Sequence, residues 1–373
     1  MNILYLSDTR FAATPYRDAS TRYRGYHFAE ALVELQHVAD IGVMDVIDTD
    51  IIARYDVVVV LRPSMSRKLV KVANLCEEYG VVLIADYDDL IFSTDYADSS
   101  PQVRNGQATE EQIAELFRRH ESAMSLFKLA TTSTQELCWQ MQEKHPAARV
   151  LHMPNGLSDF WLKYNSYVSK TNAIRYNLID DNDQYGGAIS YLPGTRSHDH
   201  DFATAVHQLA NITNNHEHSS LNIVGALDFD ESLFAEGSMK RGNWTDYMNL
   251  PGLIAKSWLT IAPLAPTIFN QSKSHIKFIE SAAFGTPHIS SNFPDVAQHS
   301  IDGLSIITAP EQWESEIARY RDQEYYNHCS DALRNYARRE CMARESIPAF
   351  LSFIEQASQY QSHEDTVPLS QAG

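Results

Sequence analysis

The sequence predicts an α/β protein made of two domains, each built on its own parallel β-sheet. Short apolar runs of strand length, such as Val57–Leu61 and Leu259–Leu264, alternate with helical segments along the chain. Continuous apolar runs are typical of parallel strands that are covered on both faces. A length of 373 residues exceeds what one ordinary core needs and suits two domains of this class.

The composition is that of a globular protein, with 44% hydrophobic and 21% charged residues. A formal net charge of −18 argues against non-specific binding of the whole surface to nucleic acid or anionic lipid, so we expect no nucleic-acid partner. The four cysteines are scattered and lack metal-binding spacing. No apolar run reaches the roughly 18 residues of a transmembrane helix, and the first residues do not resemble a signal peptide. We therefore expect a cytoplasmic protein.

The stretch Ile261–Ser291 is predicted to fold as a strand, a loop, a helix and a second strand. Asn270 and Ser272 are candidate caps for the helix, and Gly285 followed by Pro287 ends it. A helix N-terminus presents free N–H groups and a partial positive charge, which suit a phosphate. This stretch is therefore a candidate anion site.

Three charged residues, Lys273, Lys277 and Glu280, are predicted to share one side of that helix. Lys273 would add a full positive charge at the helix N-terminus, and Glu280 could accept hydrogen bonds from sugar hydroxyls. The alternative is a surface helix with a Lys277–Glu280 ion pair, worth a few tenths of a kcal/mol.

The stretch resembles the donor-binding segment of GT-B glycosyltransferases of the group 1 (family 4) type. Their second motif Glu lies in an "LEA-x-A-x-G-x-P" context, which corresponds here to Phe278–Pro287 with Glu280 as the Glu. The resemblance implies that Glu280 binds the nucleotide ribose. The first Glu of the family's Glu–seven residues–Glu motif would fall at Ser272 and is absent. The local pattern resembles that of a bacterial surface-polysaccharide subgroup, in which a lysine takes over diphosphate contacts. The residues that form this pattern here are Asn270, Lys273 and Lys277.

The N-terminal segment Ser20–Arg24 resembles the "S-x-R-Y-R" opening of the same subgroup. Ser20 and Thr21 are predicted to cap a helix. Arg22 or Arg24 is then expected to face the cleft and meet an anionic donor or acceptor, and we assign Arg24 a catalytic role and Arg22 a place in the acceptor cleft. The alternative is a solvated first helical turn.

Arg62 and three aspartates follow two neighbouring predicted strands, at the sheet edge where open α/β sheets bind ligands. Asp86, Asp88 and Asp89 could hold a metal ion. Their context instead resembles the "D-x-D-D-L-x-F" strand end of the subgroup, which is usually metal-independent, so we expect no metal site. Asp88 is predicted to be catalytic, and Arg62 and Asp86 to face the acceptor.

In the second domain a predicted strand leads into a segment that resembles the subgroup's "Y-x-x-G-T-x-x-H-x-x-D-F". Gly194 would let the backbone approach a phosphate. Thr195 and His198 are expected to contact the donor. Asp199 or Asp201 could instead serve only to cap the helix that follows.

The resemblance extends over nearly the whole chain and implies the GT-B fold, with two Rossmann-like domains facing each other across a cleft. The expected N-terminal acceptor domain covers residues 1–160, and a connection over 161–185 leads to a C-terminal donor domain over 186–339. Helices at about 340–360 are expected to pack back on the first domain, and 361–373 to form a polar tail.

The implied activity is transfer of a sugar from a nucleotide-diphosphate donor to a glycan or lipid-linked acceptor, with retention of configuration and without a required cofactor. The alternatives are an inverting GT-B transferase with His27 or Asp88 as base, a sugar-nucleotide epimerase, and a non-catalytic subunit that binds sugar nucleotides. Peripheral contact with the inner membrane is a further expectation, through a basic patch of Arg62, Arg67, Lys68 and Lys71, and the alternative is an ordinary solvated helix face. Partner glycosyltransferases are further candidates.

Overall fold

The computed structural model describes residues 1–160, 162–163, 188–194, 196–216, 219–244 and 246–364. Most of the predicted connection 161–185 and of the tail 361–373 lies outside these residues. The chain divides into two compact units. Unit 1 contains Met1–Ser93, Phe117–Ser158 and Ala343–Gly373, and unit 2 contains Thr94–Leu116 and Asp159–Met342.

Unit 1 is built on a six-stranded sheet in which the paired strands run parallel. Its strands are β1 (Asn2–Ser7), β2 (Val38–Val43), β3 (Val57–Leu61), β4 (Val82–Tyr87), β5 (Leu129–Thr132) and β6 (Arg149–His152). They are arranged in the order β2-β1-β3-β4-β5-β6. Parallel strands place their carboxyl ends at one edge, where the Arg and Asp residues singled out in the sequence lie.

The helices up to residue 144 are α1 (Ala19–Thr21), α2 (His27–Glu34), α3 (Thr49–Ile52), α4 (Arg67–Tyr79), α5 (Pro101–Arg104), α6 (Glu110–Ala123) and α7 (Gln135–Lys144). A π-helical turn, Arg22–Tyr26, joins α1 to α2. Helix α4 follows the predicted pattern closely. Ser66 caps its N-terminus through Leu69 N, and Gly80 ends it in the left-handed region at φ 66°.

Unit 2 is built on a second six-stranded sheet, also with parallel pairing. Its strands are β7 (Ala188–Gly194), β8 (Ser220–Gly225), β9 (Met239–Gly242), β10 (Leu259–Ala262), β11 (His288–Ser291) and β12 (Leu304–Ile307). Their order is β12-β11-β10-β7-β8-β9. The order changes direction at β7, and such switch points are where open α/β sheets bind ligands.

The described helices after residue 188 are α8 (Asp199–Ala203), α9 (Val206–Asn215), α10 (Leu250–Lys256), α11 (Ile268–Gln271), α12 (Ile276–Phe284), α13 (Pro294–Ala297), α14 (Gln312–Arg319), α15 (Gln323–Glu340) and α16 (Ile347–Glu364). Helix α16 belongs to unit 1, where Ile347, Phe350 and Ile354 pack into the core beside the residues of β1 and β3. The core of unit 2 includes Tyr191, Phe202 and Trp313.

Residues Thr94–Leu116, which the sequence places in the first domain, cluster with unit 2. The physical reason is a set of specific contacts: the side chains of Asn105 and Gln107 both donate to the Arg196 carbonyl. Among the described residues no helix is both long and apolar enough to cross a membrane.

Candidate functional site

Two glycines end neighbouring strands of unit 2 and shape the edge of the sheet. Gly194 ends β7 with φ 76°, and Gly225 ends β8 with φ 128°. A Cβ atom on Gly225 would lie 2.9 Å from the Gly194 nitrogen, so only glycine allows this close approach. A Cβ atom on Gly194 would meet nothing within 4 Å. The Cα atom of Gly194 therefore borders open space at the carboxyl edge of the sheet.

Asp201 is a buried hydrogen-bonding centre beside this edge, with only 4% of its surface exposed. Its carboxylate accepts from His198 Nδ1 (2.8 Å), Asn270 Nδ2 (2.6 Å) and the Ala265 backbone N–H (3.0 Å). Burial opposes ionisation, but these hydrogen bonds outweigh it and lower the pKa of Asp201. The carboxylate thus joins the β7 loop to the segment after β10, and does more than cap a helix.

The ammonium groups of two lysines interact electrostatically with the His198–Asp201 pair. Lys273 lies in the turn between α11 and α12, with Nζ 4.7 Å from the centroid of the Phe269 ring. Lys277 is half-buried on α12. Burial and repulsion by Lys273 lower its pKa to about 8, and attraction by Asp201 offsets only part of this effect. A site with two crowded cations favours an anionic ligand.

His198 presents a hydrogen-bond acceptor to this site. Burial and the two lysines lower its pKa, and its hydrogen bond to Asp201 offsets only part of that effect. The ring is therefore neutral at pH 7. Because Nδ1 donates to the carboxylate, Nε2 carries the lone pair. His198 is suited to accept a hydrogen bond from a hydroxyl group.

The helix of the donor stretch begins later than the sequence predicts. Thr267, not Asn270 or Ser272, is the side-chain cap, and it caps the short α11 by accepting from Asn270 N. Ser272 is buried and its hydroxyl donates to the Ile268 carbonyl at 3.2 Å. The N-cap of α12 is His275, without a side-chain cap bond. Predicting Ser272 as a cap was wrong, because its hydroxyl bonds back into α11.

Glu280 lies on α12 one turn beyond Lys277 and is 7% exposed. Its ribose contact stays a prediction, as do the donor contacts of Gly194, His198 and the two lysines. Thr195 lies outside the described residues. The structure does bring Gly194, His198, Asn270 and the lysines of the donor set into one unit.

Arg24, predicted to be catalytic, is instead fully enclosed in unit 1. Arg24 and Asp86 are 1% and 3% exposed. The guanidinium donates to both Asp86 oxygens, to the Met153 carbonyl (2.6 Å) and to Asn155 Oδ1 (3.1 Å). Thr131 Oγ1 donates to the same carboxylate at 2.6 Å. This internal pairing indicates a structural role for Arg24 and Asp86, and the catalytic role of Arg24 and the acceptor contact of Asp86 stay predictions.

Other polar residues singled out in unit 1 also form ion pairs or hydrogen bonds within the protein. Arg62 forms ion pairs with Asp88 and Asp89, and adopts a left-handed φ of 47°. Arg22 is buried and donates to the Tyr16 carbonyl at 3.0 Å. The helix start here is capped by Asp18, not by the predicted serine and threonine, because the Asp18 carboxylate accepts from the helix N–H.

Each carboxylate of the aspartate cluster is paired with an arginine, Asp86 with Arg24 and both Asp88 and Asp89 with Arg62, and the absence of a metal site stays a prediction. In the part of the chain that the structure describes, no group of three or more His, Cys, Asp or Glu side chains could hold a metal ion.

Sequence reasoning missed two features of the unit 2 site. Gly225 does not belong to a recognisable sequence motif. Only its close approach to Gly194 shows why position 225 needs a glycine. The role of Asp201 as a hydrogen-bonding centre was also missed. The His-x-x-Asp spacing is a signal that could have indicated the His198–Asp201 pair.

No protein-family model matches the chain, and no curated protein sequence matches it. Solved structures do resemble it. HepE from Anabaena in complex with UDP is 13% identical and superposes with a TM-score of 0.62, covering 95% of this chain and 100% of that chain. An α,α-trehalose-phosphate synthase (UDP-forming) from Burkholderia xenovorans is 10% identical with a TM-score of 0.56, covering 95% and 100%.

A UDP-GlcNAc 2-epimerase from Neisseria meningitidis is 12% identical with a TM-score of 0.50, covering 94% of this chain and 99% of that chain. At such identities the likeness concerns the fold alone. The chain has the α/β GT-B fold, with two Rossmann-like domains that each contain a six-stranded parallel sheet.

Proposed function

We propose that the protein is a glycosyltransferase that takes a sugar from a nucleotide-diphosphate donor bound to unit 2. The observation that carries the proposal is the grouping of Lys273 and Lys277 with the His198–Asp201 pair, in the same unit as the open strand end at Gly194. Cations and free backbone N–H groups are the groups that bind a diphosphate.

The chemistry of this site fits departure of a nucleoside diphosphate. As the glycosidic bond breaks, negative charge builds up on the leaving diphosphate, and prearranged cations stabilise that charge. We assign Lys273 the main catalytic role, and Lys277 a diphosphate contact. Glu280 would accept from the ribose hydroxyls, and His198 Nε2 from a hydroxyl of the sugar or ribose.

Uracil is the base we propose for the donor. HepE was solved with UDP, and the synthase is described as UDP-forming, and both share the fold of this chain. The acceptor we propose is a glycan or a lipid-linked glycan. This part rests on the resemblance of the sequence motifs to transferases of surface polysaccharides.

We further propose transfer with retention of configuration. An inverting enzyme needs a general base for the acceptor. Of the two candidates in the sequence, His27 is buried, its pKa is lowered to about 4 by burial, and its Nδ1 contacts the Gly156 carbonyl at 2.8 Å. Asp88 forms an ion pair with Arg62. Neither arrangement favours an accessible base.

A panel of nucleotides tests the proposal by thermal shift. UDP at about 100 times its dissociation constant is expected to add about 2.7 kcal/mol to the free energy of unfolding, with or without Mg2+. GDP, dTDP, CMP and ADP should add less. Lys273→Ala should abolish the UDP shift, whereas Lys240→Ala, which changes a lysine of strand β9, should retain it.

Product analysis on the same variants separates the alternatives. Turnover of a UDP-sugar with transfer to an acceptor is expected for the wild type and not for Lys273→Ala. UDP binding without turnover would favour the non-catalytic subunit, and release of an epimerised sugar would favour the epimerase. No shift with any nucleotide would contradict the proposed site.

A further inference from the structure

The side-chain amide of Asn105 bridges both ends of the turn that carries His198. Its Nδ2 donates to the Arg196 carbonyl at 2.8 Å, and its Oδ1 accepts from the His200 backbone N–H at 2.9 Å. The two backbone groups stand on either side of His198 in the chain. One side chain therefore fixes the turn 196–200 from both ends.

The amide is held in place by a turn with its own hydrogen bonds. Ser100 caps α5 by accepting from Val103 N at 3.4 Å. Gly106 follows Asn105 with a left-handed φ of 65°, and Gln107 N donates to the Gln102 carbonyl at 2.8 Å. This backbone positions Asn105 before any ligand binds, so the amide loses little conformational entropy in bridging the turn.

Two further contacts join the same segment to the candidate site. Gln107 Nε2 donates to the Arg196 carbonyl at 3.2 Å, which gives that carbonyl a second donor. The turn Thr94–Ser99 contacts α11, the helix that contains Asn270. Residues Thr94–Leu116 thus contact both elements that meet at Asp201, the turn with His198 and the helix with Asn270.

We infer that Asn105 is a positioning residue for the donor site, which holds the turn 196–200 so that His198 stays bonded to Asp201. A single side chain needs both a donor and an acceptor to bind the Arg196 carbonyl and the His200 N–H together. Without Asn105 the carbonyl keeps Gln107 as a donor, but the His200 N–H loses the Asn105 acceptor. Aspartate would keep the bond from His200 and place a carboxylate against the Arg196 carbonyl. The effect on ligand binding rests on the proposed function. The two hydrogen bonds by which Asn105 holds the turn 196–200, here called the clamp, do not depend on it.

Hydrogen exchange without ligand tests the clamp. In Asn105→Ala the backbone amides of 196–202 are expected to exchange at least tenfold faster than in the wild type, and in Asn105→Asp by a smaller factor. Gln112→Ala is the matched control, since Gln112 lies in the same segment and accepts from Thr109 N. Its exchange in 196–202 should be unchanged. Unchanged exchange in Asn105→Ala would overturn the inference.

Calorimetry with UDP and steady-state kinetics test the positioning role on folded variants. Loss of two hydrogen bonds is expected to weaken UDP binding about tenfold in Asn105→Ala and to raise the donor KM alike, with kcat within threefold. Asn105→Asp should lie between, and Gln112→Ala within twofold of wild type. Faster exchange with unaltered UDP affinity would reduce Asn105 to a purely structural residue. A wild type that binds no nucleotide would refute the proposed function, while the exchange result would still decide the clamp.

Discussion

Replacing Asp86 with alanine is expected to lower the free energy of unfolding by about 3–5 kcal/mol, measured by chemical denaturation. The variant leaves the Arg24 guanidinium buried without its carboxylate, and removes the acceptor of the Thr131 hydroxyl. A charge of this kind cannot reach water without opening the interior of unit 1. Such a loss of stability would show that the Arg24–Asp86 pair stabilises the carboxyl edge of the unit 1 sheet.

Two further variants control this prediction. Arg24→Met combined with Asp86→Leu removes both charges at once and should recover much of the loss, because a buried pair replaced by apolar groups is often close to neutral. Asp88→Ala should cost about 1 kcal/mol or less, since Arg62 is partly exposed and keeps Asp89. An Asp86→Ala protein of wild-type stability that has lost turnover would instead restore a catalytic role for the pair.

The affinity for UDP is expected to fall with rising pH above about 8, by up to tenfold per pH unit. Lys277 has a pKa of about 8 in the free protein, because burial and Lys273 disfavour its charge. Below this pH the ammonium is already present and binding pays no protonation cost. Above it, the lysine must take up a proton before it can pair with the diphosphate. Calorimetry from pH 7 to 9.5 would record this break.

Deprotonation of Lys277 with rising pH weakens UDP binding but increases folding stability, so the two effects can be distinguished. Because the folded pKa of Lys277 is below that of a free lysine, about 10.4, its contribution to folding stability rises with pH between about 8 and 10.4. Weaker binding at pH 9 therefore cannot be unfolding caused by this group. Lys277→Arg stays charged and should lose the break. An unchanged break in that variant would exclude Lys277 as its source.

Much of the fold follows from local patterns. The β-branched run Val57–Leu61 forms a buried central strand as predicted, because short runs of β-branched residues favour a strand that is covered on both faces. The boundaries of α4 also follow from its caps, Ser66 and Gly80. Such signals act within a few residues, so a single sequence contains all the information they need.

The site could be predicted only in part, because its decisive contacts join residues far apart in the chain. Lys277 and His198 were singled out by motif, but nothing local shows that both respond to Asp201. Arg24 and Asp86 looked like open site residues, although they form a buried pair across 62 positions. The contact of Asn105 with Arg196 spans 91 positions and has no sequence signature.

Hydrogen exchange of the wild-type protein, with and without saturating UDP, would show whether unit 2 binds a nucleoside diphosphate at the Lys273–Lys277 site. We expect UDP to slow exchange in 194–201 and 267–281, and we expect the double variant Lys273→Ala, Lys277→Ala to lose this protection. Protection elsewhere, with these two segments unchanged, would contradict binding at this site.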